Sequence, residues 1–141
     1  MAKKKVYVSL DYKHDKYYKY LLESWDANPG FKFVFGDEPP DYIVPDNIDR
    51  IKAGLTKKIN GTSYTLVIIG IEANTSDPDE TLIGFKNWIN FEVHQSKLHH
   101  NKHIGVKLKE SYESPAELQG TAAKITSRFN LDEIANLLRE P

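Results

Sequence analysis

The run Leu66–Ile71 constrains the fold more than any other stretch, because it is the most apolar segment of this chain. An unbroken apolar run is typical of a strand that is covered on both faces, as the central strands of parallel sheets are. We therefore predict a central parallel strand here, followed by the polar loop Glu72–Thr81.

Further strands and helices alternate around this run. Strand patterns are found at Val6–Leu10, at Phe31–Phe35, which alternates as an exposed edge strand would, and at His103–Leu108. Helical spacing of apolar residues is found at Tyr17–Trp25, at Ile48–Ile59 and at Phe85–Val93. The first of these helices is expected to stop at Asn28, Pro29 and Gly30. The second is expected to be capped by Asp46 or Asn47.

The C-terminal part of the chain is less regular. Lys109–Gly120 has no clear period, with at most one helical turn at Ser114 and Pro115. Thr121–Arg128 fits either a last edge strand or an extended connection. Asn130, with an acidic residue three positions later, predicts the cap of a final helix.

This alternation predicts an α/β fold of one domain, residues 1–141, because the length suits a single core. The expected architecture is a flavodoxin-like, doubly wound parallel sheet of four to five strands in the order 2-1-3-4-5, within three layers α/β/α. Such sheets bind ligands beyond the carboxyl ends of their strands, between strands 1 and 3. The loops that follow the first three strands meet at that edge. We expect one cleft that gathers Ser9, Asp11, Tyr12, Gly70 and Glu92.

Glu92 is the least ordinary residue of the predicted amphipathic helix, whose middle is the stretch 85–93. At about 100° per residue, it lies on the same face as Phe85, Trp88 and Ile89, whereas Asn90 lies on another. A carboxylate in an apolar stripe must be paired, hydrogen-bonded, placed at a cleft or have its pKa raised, because bare burial costs several kcal/mol. The plain alternative is a glutamate that reaches a lysine or a backbone amide at the rim of the helix.

Composition excludes several classes of protein. The chain has no cysteine, so disulfides, zinc ribbons and thiol nucleophiles are excluded. Its net charge of −1 argues against nucleic acid as the main partner. No apolar run reaches the roughly 18 residues of a membrane span, and the first apolar stretch is too short for a signal peptide. We therefore expect a cytoplasmic protein with no membrane partner.

Motifs for common cofactors and metals are also missing. Neither the glycine-rich dinucleotide fingerprint nor a P-loop is present, and the third strand ends in Gly70 where a phosphoacceptor receiver needs aspartate. The histidines at 94–103 lack the spacing of a helical zinc site, so no metal is expected.

Charge is uneven along the chain. Residues 37–49 and 72–80 are acidic, and residues 97–109 are basic. This asymmetry favours self-association, although solvated loops give the same pattern.

Four motifs together resemble the TIR-like family that was first described as a domain of unknown function and includes the TIR proteins of the Thoeris antiphage system. Lys5–Tyr12 resembles its opening strand and loop, Ile51–Ile59 with Thr65–Gly70 its helix and apolar strand, and His103–Val106 its next strand. Trp88-Ile89-Asn90-Phe91-Glu92 is similar to its Trp-x-x-aromatic-Glu motif. The resemblance covers about residues 4–109, and residues 121–139 more loosely. The fold of the family is flavodoxin-like.

The resemblance implies an enzyme that uses NAD as a substrate, with no cofactor. By motif position, Glu92 is the catalytic residue that cleaves the bond between nicotinamide and ribose. Tyr12 and Trp88 are then expected to stack on the nicotinamide or adenine ring, and Ser9 and Asp11 to bind ribose or the amide. Gly70 is expected to let a phosphate or a ring approach the backbone.

The acceptor decides the product of such an enzyme. Water gives ADP-ribose, and a nitrogen of the substrate's own adenine gives a cyclic product. Thoeris TIR proteins are thought to make a cyclic ADP-ribose isomer that activates a separate effector protein, and self-association is expected.

Two segments leave room for another interpretation. The loop over 36–45 is acidic and rich in proline, and Asn74–Asp79 either covers the cleft as a lid or holds Glu92 away from it. The alternatives are a TIR-like interaction module without turnover, in which Glu92 is structural, and a nucleotide-sensing domain.

Overall fold

The computed structural model describes residues 4–25, 30–38 and 43–139. In chain order, the elements of these ranges are β1 (Lys4–Ser9), α1 (Tyr12–Ser24), β2 (Phe31–Phe35), α2 (Pro45–Asn60), β3 (Tyr64–Ile69), α3 (Glu80–Ile83), α4 (Trp88–Leu98), β4 (Lys102–Lys107), β5 (Lys124–Thr126) and α5 (Leu131–Arg139). None of the helices within these ranges has the length and apolar character needed to cross a membrane.

The strands form one parallel sheet in the order β2-β1-β3-β4-β5, which confirms the predicted flavodoxin-like order. Leu66 of β3 lies between Val8 of β1 and Ile104 of β4. Residues 66–69 are fully buried, as predicted for a central strand covered on both faces. The predicted end of this strand is wrong, because β3 ends at Ile69 and Ile71 is 63% exposed in the turn that follows. β2 is an edge strand, again as predicted.

Two groups of helices cover the sheet and complete the three predicted layers. Val6 and Val8 of β1 pack with Leu22 of α1 and Leu138 of α5 on one face. On the other face, Val67 and Ile69 of β3 pack against Ile89 and Val93 of α4. Trp88 and Phe91 of α4 then pack with Leu55 of α2. Because strand side chains alternate, Tyr7 and Ser9 of β1 face α4.

The predicted amphipathic helix over 85–93 is wrong in its start and in its exposure. α4 begins at Trp88, because the Asn87 side chain caps it by accepting a hydrogen bond of 2.9 Å from the Asn90 amide. Phe85 therefore precedes the helix. All residues from Trp88 to Val93 are buried, since α4 is enclosed by the sheet, α2 and the loops at 73–75 and 116–118.

Other predictions have mixed outcomes. The cap at Asp46 or Asn47 is wrong, since α2 begins one residue after Val44 with Pro45, whose fixed φ suits a first helical position. Thr121–Arg128 contains the short edge strand β5. Asn130 caps α5 as predicted, accepting from the Glu133 amide at 3.0 Å. The predicted stop at Asn28 and Pro29, and residues 39–42 of the predicted loop over 36–45, lie outside the described residues.

Candidate active site

The site is built around the carboxyl group of Glu92, one turn into α4. Tyr7 and Ser9 of β1 face α4, and both of their hydroxyl groups donate hydrogen bonds to this carboxyl group. Ser9 Oγ lies 3.2 Å from Oε1, and Tyr7 binds Oε2. Tyr7 and Ser9 are fully buried, and Glu92 is 4% exposed. No lysine or arginine of the described ranges forms an ion pair with Glu92, so a lysine at the rim does not account for it.

Burial controls the electrostatics of this group. It raises the pKa of Glu92 from 4.5 to about 8, while the hydrogen bonds from Tyr7 and Ser9 oppose that rise. Burial, followed by the charge of the Glu92 carboxylate, also holds the pKa of the Tyr7 hydroxyl well above its usual range. Tyr7 therefore stays a proton donor, and burial favours the protonated form of Glu92 at neutral pH.

The backbone at Gly36, just after β2, covers this pair. A Cβ at this position would lie 2.5 Å from the Tyr7 hydroxyl and 3.3 Å from Glu92 Oε2, so a larger residue would displace both groups. The Gly36 carbonyl in turn accepts a hydrogen bond from the Tyr12 hydroxyl. The loop after β2 and the start of α1 are thus joined directly above the carboxyl group.

A cavity of about 420 Å³ opens at the carboxyl edge of the sheet and contains Glu92 in its wall. The loops after β1, β2 and β3 contribute Asp11, Asp37 and Glu72 to its lining, which confirms that these three loops share one edge. Its size lies within the usual range of small-molecule sites. A wider groove of about 590 Å³ between α2 and α4 is open to solvent and does not reach Glu92.

The segment Asn74–Asp79 forms one wall of this cavity. The Asn87 side chain donates to the carbonyl oxygens of Ala73 and Thr75 at 2.9 and 3.0 Å, and Asn74 accepts from the Ala116 amide at 2.8 Å. Thr75 to Asp79 line the cavity together with Glu92. The segment therefore does not hold Glu92 away from the cavity, since both contribute to its lining.

Four of the predicted site residues, Asp11, Tyr12, Trp88 and Glu92, line the cavity. Ser9 does not line it: this residue is fully buried and reaches Glu92 from below, so its contact is with the glutamate. Both oxygen atoms of Asp11 already have partners, the Lys13 amide at 3.0 Å and the His14 ring at 2.6 Å.

Gly70 also lies outside the cavity lining. The carboxyl group of Asp15, which is 6% exposed, fills the space beside its backbone, so neither a phosphate nor a ring has access there. Burial, followed by the charge of Asp11, raises the pKa of Asp15 to about 6.

Sequence reasoning missed Tyr7, Gly36 and Asn87. The alternation of strand side chains offered a signal for Tyr7, because it lies two residues before Ser9 and must face the same layer. Asn87 had the signature of a helix cap. Gly36 offered none, since its role depends on the packing of β2 against β1.

Fold and site together define a TIR-like α/β domain with a buried glutamate in the wall of a cavity at the carboxyl edge of the sheet. The chain belongs to the family of the Thoeris protein ThsB TIR-like domain, whose model matches residues 7–113. The match includes Tyr7–Ser9 of β1, the Glu92 motif and the whole lining of the cavity. No curated protein matches the chain closely enough to count as a relative.

Proposed function

We propose that this protein cleaves the bond between nicotinamide and ribose in NAD and thereby makes a nucleotide signal in antiphage defence. One observation carries the proposal: Glu92, the residue that matches the catalytic glutamate of TIR enzymes, is buried, is held by two hydroxyl groups and lines a cavity at the edge where doubly wound sheets bind ligands.

The reaction suits a single carboxylate. Nicotinamide is positively charged while bound to ribose and leaves as a neutral molecule, so it needs little help from a general acid. The transition state has the character of an oxocarbenium ion, which a nearby carboxylate stabilises. A cationic nicotinamide ring that approaches Glu92 lowers its pKa and favours the charged form. The Tyr7 and Ser9 hydroxyls then hold the carboxylate in one orientation.

Two aromatic residues are placed to bind planar rings. Trp88 and Tyr12 both line the cavity and are each 7% exposed. Trp88 is held by an edge-on contact with Phe91, with ring centres 5.5 Å apart, and Tyr12 is held through its hydroxyl by Gly36. Rings that are fixed in this way can stack on nicotinamide or adenine at little entropic cost.

The partners follow from this chemistry and from the family. NAD is the substrate rather than a cofactor, and the product acts on a separate effector protein in the cytoplasm. Self-association is the proposed route to the active form, with the acidic and basic segments of the chain as its electrostatic basis.

A second candidate is a binding module without turnover. The raised pKa of Glu92 supports it, because a carboxyl group that stays protonated at neutral pH also behaves as an ordinary hydrogen-bonded core residue.

Nicotinamide release separates the two candidates. Purified protein at high concentration is incubated with NAD, alone and in lysate from phage-infected cells, beside Glu92→Gln and Glu117→Gln. Glu117 pairs with His94 and Lys97 outside the cavity, so its variant controls for the loss of one carboxylate. We expect release by the wild type and by Glu117→Gln only. Equal release by Glu92→Gln, or no release by the wild type under either condition, would reject the catalytic proposal.

A further inference from the structure

The cavity contains a second polar pair that the proposed cleavage does not use. We propose that His14, oriented by Asp11, is the general base that takes the proton from an oxygen acceptor, either water or a hydroxyl group. The inference rests on the proposed function. It adds the class of acceptor and the residue that activates it.

The geometry is that of a histidine fixed by a carboxylate. His14 Nδ1 lies 2.6 Å from Asp11 Oδ2, and both residues line the same cavity as Glu92. The other carboxylate oxygen, Oδ1, accepts from the Lys13 amide at 3.0 Å, which fixes Asp11 at the start of α1. The Asp11 side chain is 19% exposed and the His14 side chain 44%. His14 therefore lies nearer the mouth of the cavity, where an acceptor enters.

This pairing leaves the other ring nitrogen available. A carboxylate has no proton to give, so Nδ1 must carry the proton of the shared hydrogen bond. Nε2 of the neutral ring then has a free lone pair, as in other histidines that a carboxylate orients. Nε2 makes no hydrogen bond within the part of the chain that the structure describes.

The proton balance of the reaction calls for such a group. When the bond between nicotinamide and ribose breaks, its electron pair leaves with nicotinamide and an oxocarbenium ion remains. An oxygen acceptor then forms a new C–O bond, and its O–H proton passes to Nε2 of His14 and from there to solvent. An adenine ring nitrogen that attacks carries no proton and needs no base. A base in the cavity thus points to an oxygen acceptor.

The chain also contains a matched pair outside the cavity. His94 Nδ1 lies 3.0 Å from Glu117 Oε1, and Glu117 also binds Lys97. The His94 side chain is 36% exposed, similar to that of His14. His94→Gln therefore makes the same chemical change in a histidine that lines no part of the cavity.

Two rates measured on the same variants test the role of His14. One is the incorporation of isotope-labelled nicotinamide into NAD, which requires only reversible cleavage. The other is the net release of nicotinamide, which also requires capture by the acceptor. Without a base, the oxocarbenium ion returns to nicotinamide more often than it reaches product. We expect His14→Gln to lower net release about 100-fold and to keep exchange within about threefold of the wild type. Asp11→Asn should lower net release about tenfold, because the ring loses its anionic partner.

The controls decide between the remaining outcomes. His94→Gln should change neither rate, and free imidazole should restore part of the net release of His14→Gln. Equal losses of exchange and release in His14→Gln would show a structural role and overturn the inference, as would unchanged release. Exchange and release both absent from the wild type would instead reject the proposed function, and the role of His14 with it.

Discussion

Replacement of Glu92 by glutamine should stabilise this protein by an amount that increases with pH. Glu92 has a pKa of about 8 in the folded protein and 4.5 as its ordinary value. Between these pH values the folded protein keeps a proton that the unfolded chain releases. The stability that this group contributes is therefore complete below pH 4.5, and it is lost as the pH rises through 8.

The size of the effect follows from the two pKa values. Each pH unit between them costs about 1.4 kcal/mol, so the folded protein loses about 5 kcal/mol from this group by pH 8. Glutamine has nearly the same shape as the protonated glutamic acid. Its carbonyl can accept from Tyr7, and its amide can donate to Ser9. Glu92→Gln should match the wild type near pH 4.5 and exceed its free energy of unfolding by up to about 5 kcal/mol at pH 8 and above.

Urea unfolding at several pH values between 5 and 9 measures this difference directly. The difference between Glu92→Gln and the wild type should rise by about 1.4 kcal/mol per pH unit up to pH 8 and then level off. Glu117→Gln shows what the loss of one carboxylate elsewhere does to the same curve. A difference that stays constant with pH, or that reverses so that Glu92→Gln is the less stable protein at pH 8, would refute the reasoning from burial.

Three further predictions concern the same group. Because kcat/KM reports ionisations of the free enzyme, NAD cleavage by a Glu92 carboxylate should rise about tenfold per pH unit below pH 8 and level off above it. A rate that is flat from pH 6 to pH 8 would argue against it. Tyr7→Phe removes a hydrogen bond that lowers the pKa of Glu92, so the midpoint of the pH–rate profile should move to higher pH. An unmoved midpoint would show that Tyr7 does not act on Glu92. Gly36→Ala should cost about 1–3 kcal/mol of stability by crowding Tyr7 and Glu92, whereas Gly54→Ala, in open space within α2, should gain about 1 kcal/mol. Thermal unfolding of the two glycine variants checks the contrast, and equal shifts would contradict it.

Much of the fold could be predicted because its signals lie between neighbours in the sequence. The apolar run at 66–71 predicts a covered central strand, and β3 has that position. Asn130 predicts a helix cap, and it caps α5. Right-handed crossovers between parallel strands then favour the order 2-1-3-4-5, and the structure has this order.

The predictions that proved wrong concern residues whose conformation depends on contacts with distant parts of the chain. The apolar spacing at 85–93 predicts a helix through Phe85, but Asn87 begins α4 and also holds the wall of the cavity through Ala73 and Thr75. Gly70 stands where a ligand was expected to approach, but Asp15 of α1 fills that space. Neither contact can be predicted from local periodicity, since each joins elements that meet only when the sheet has formed.

The class of fold, the order of the sheet, the edge that carries the candidate site and the candidate glutamate could all be predicted from the sequence. What surrounds that glutamate depends on the tertiary structure. Tyr7 and Glu92 are 85 residues apart, and their hydrogen bond depends on the depth at which α4 packs on β1. Side chains that meet across layers are selected by packing, whereas periodicity and capping act between residues a few positions apart.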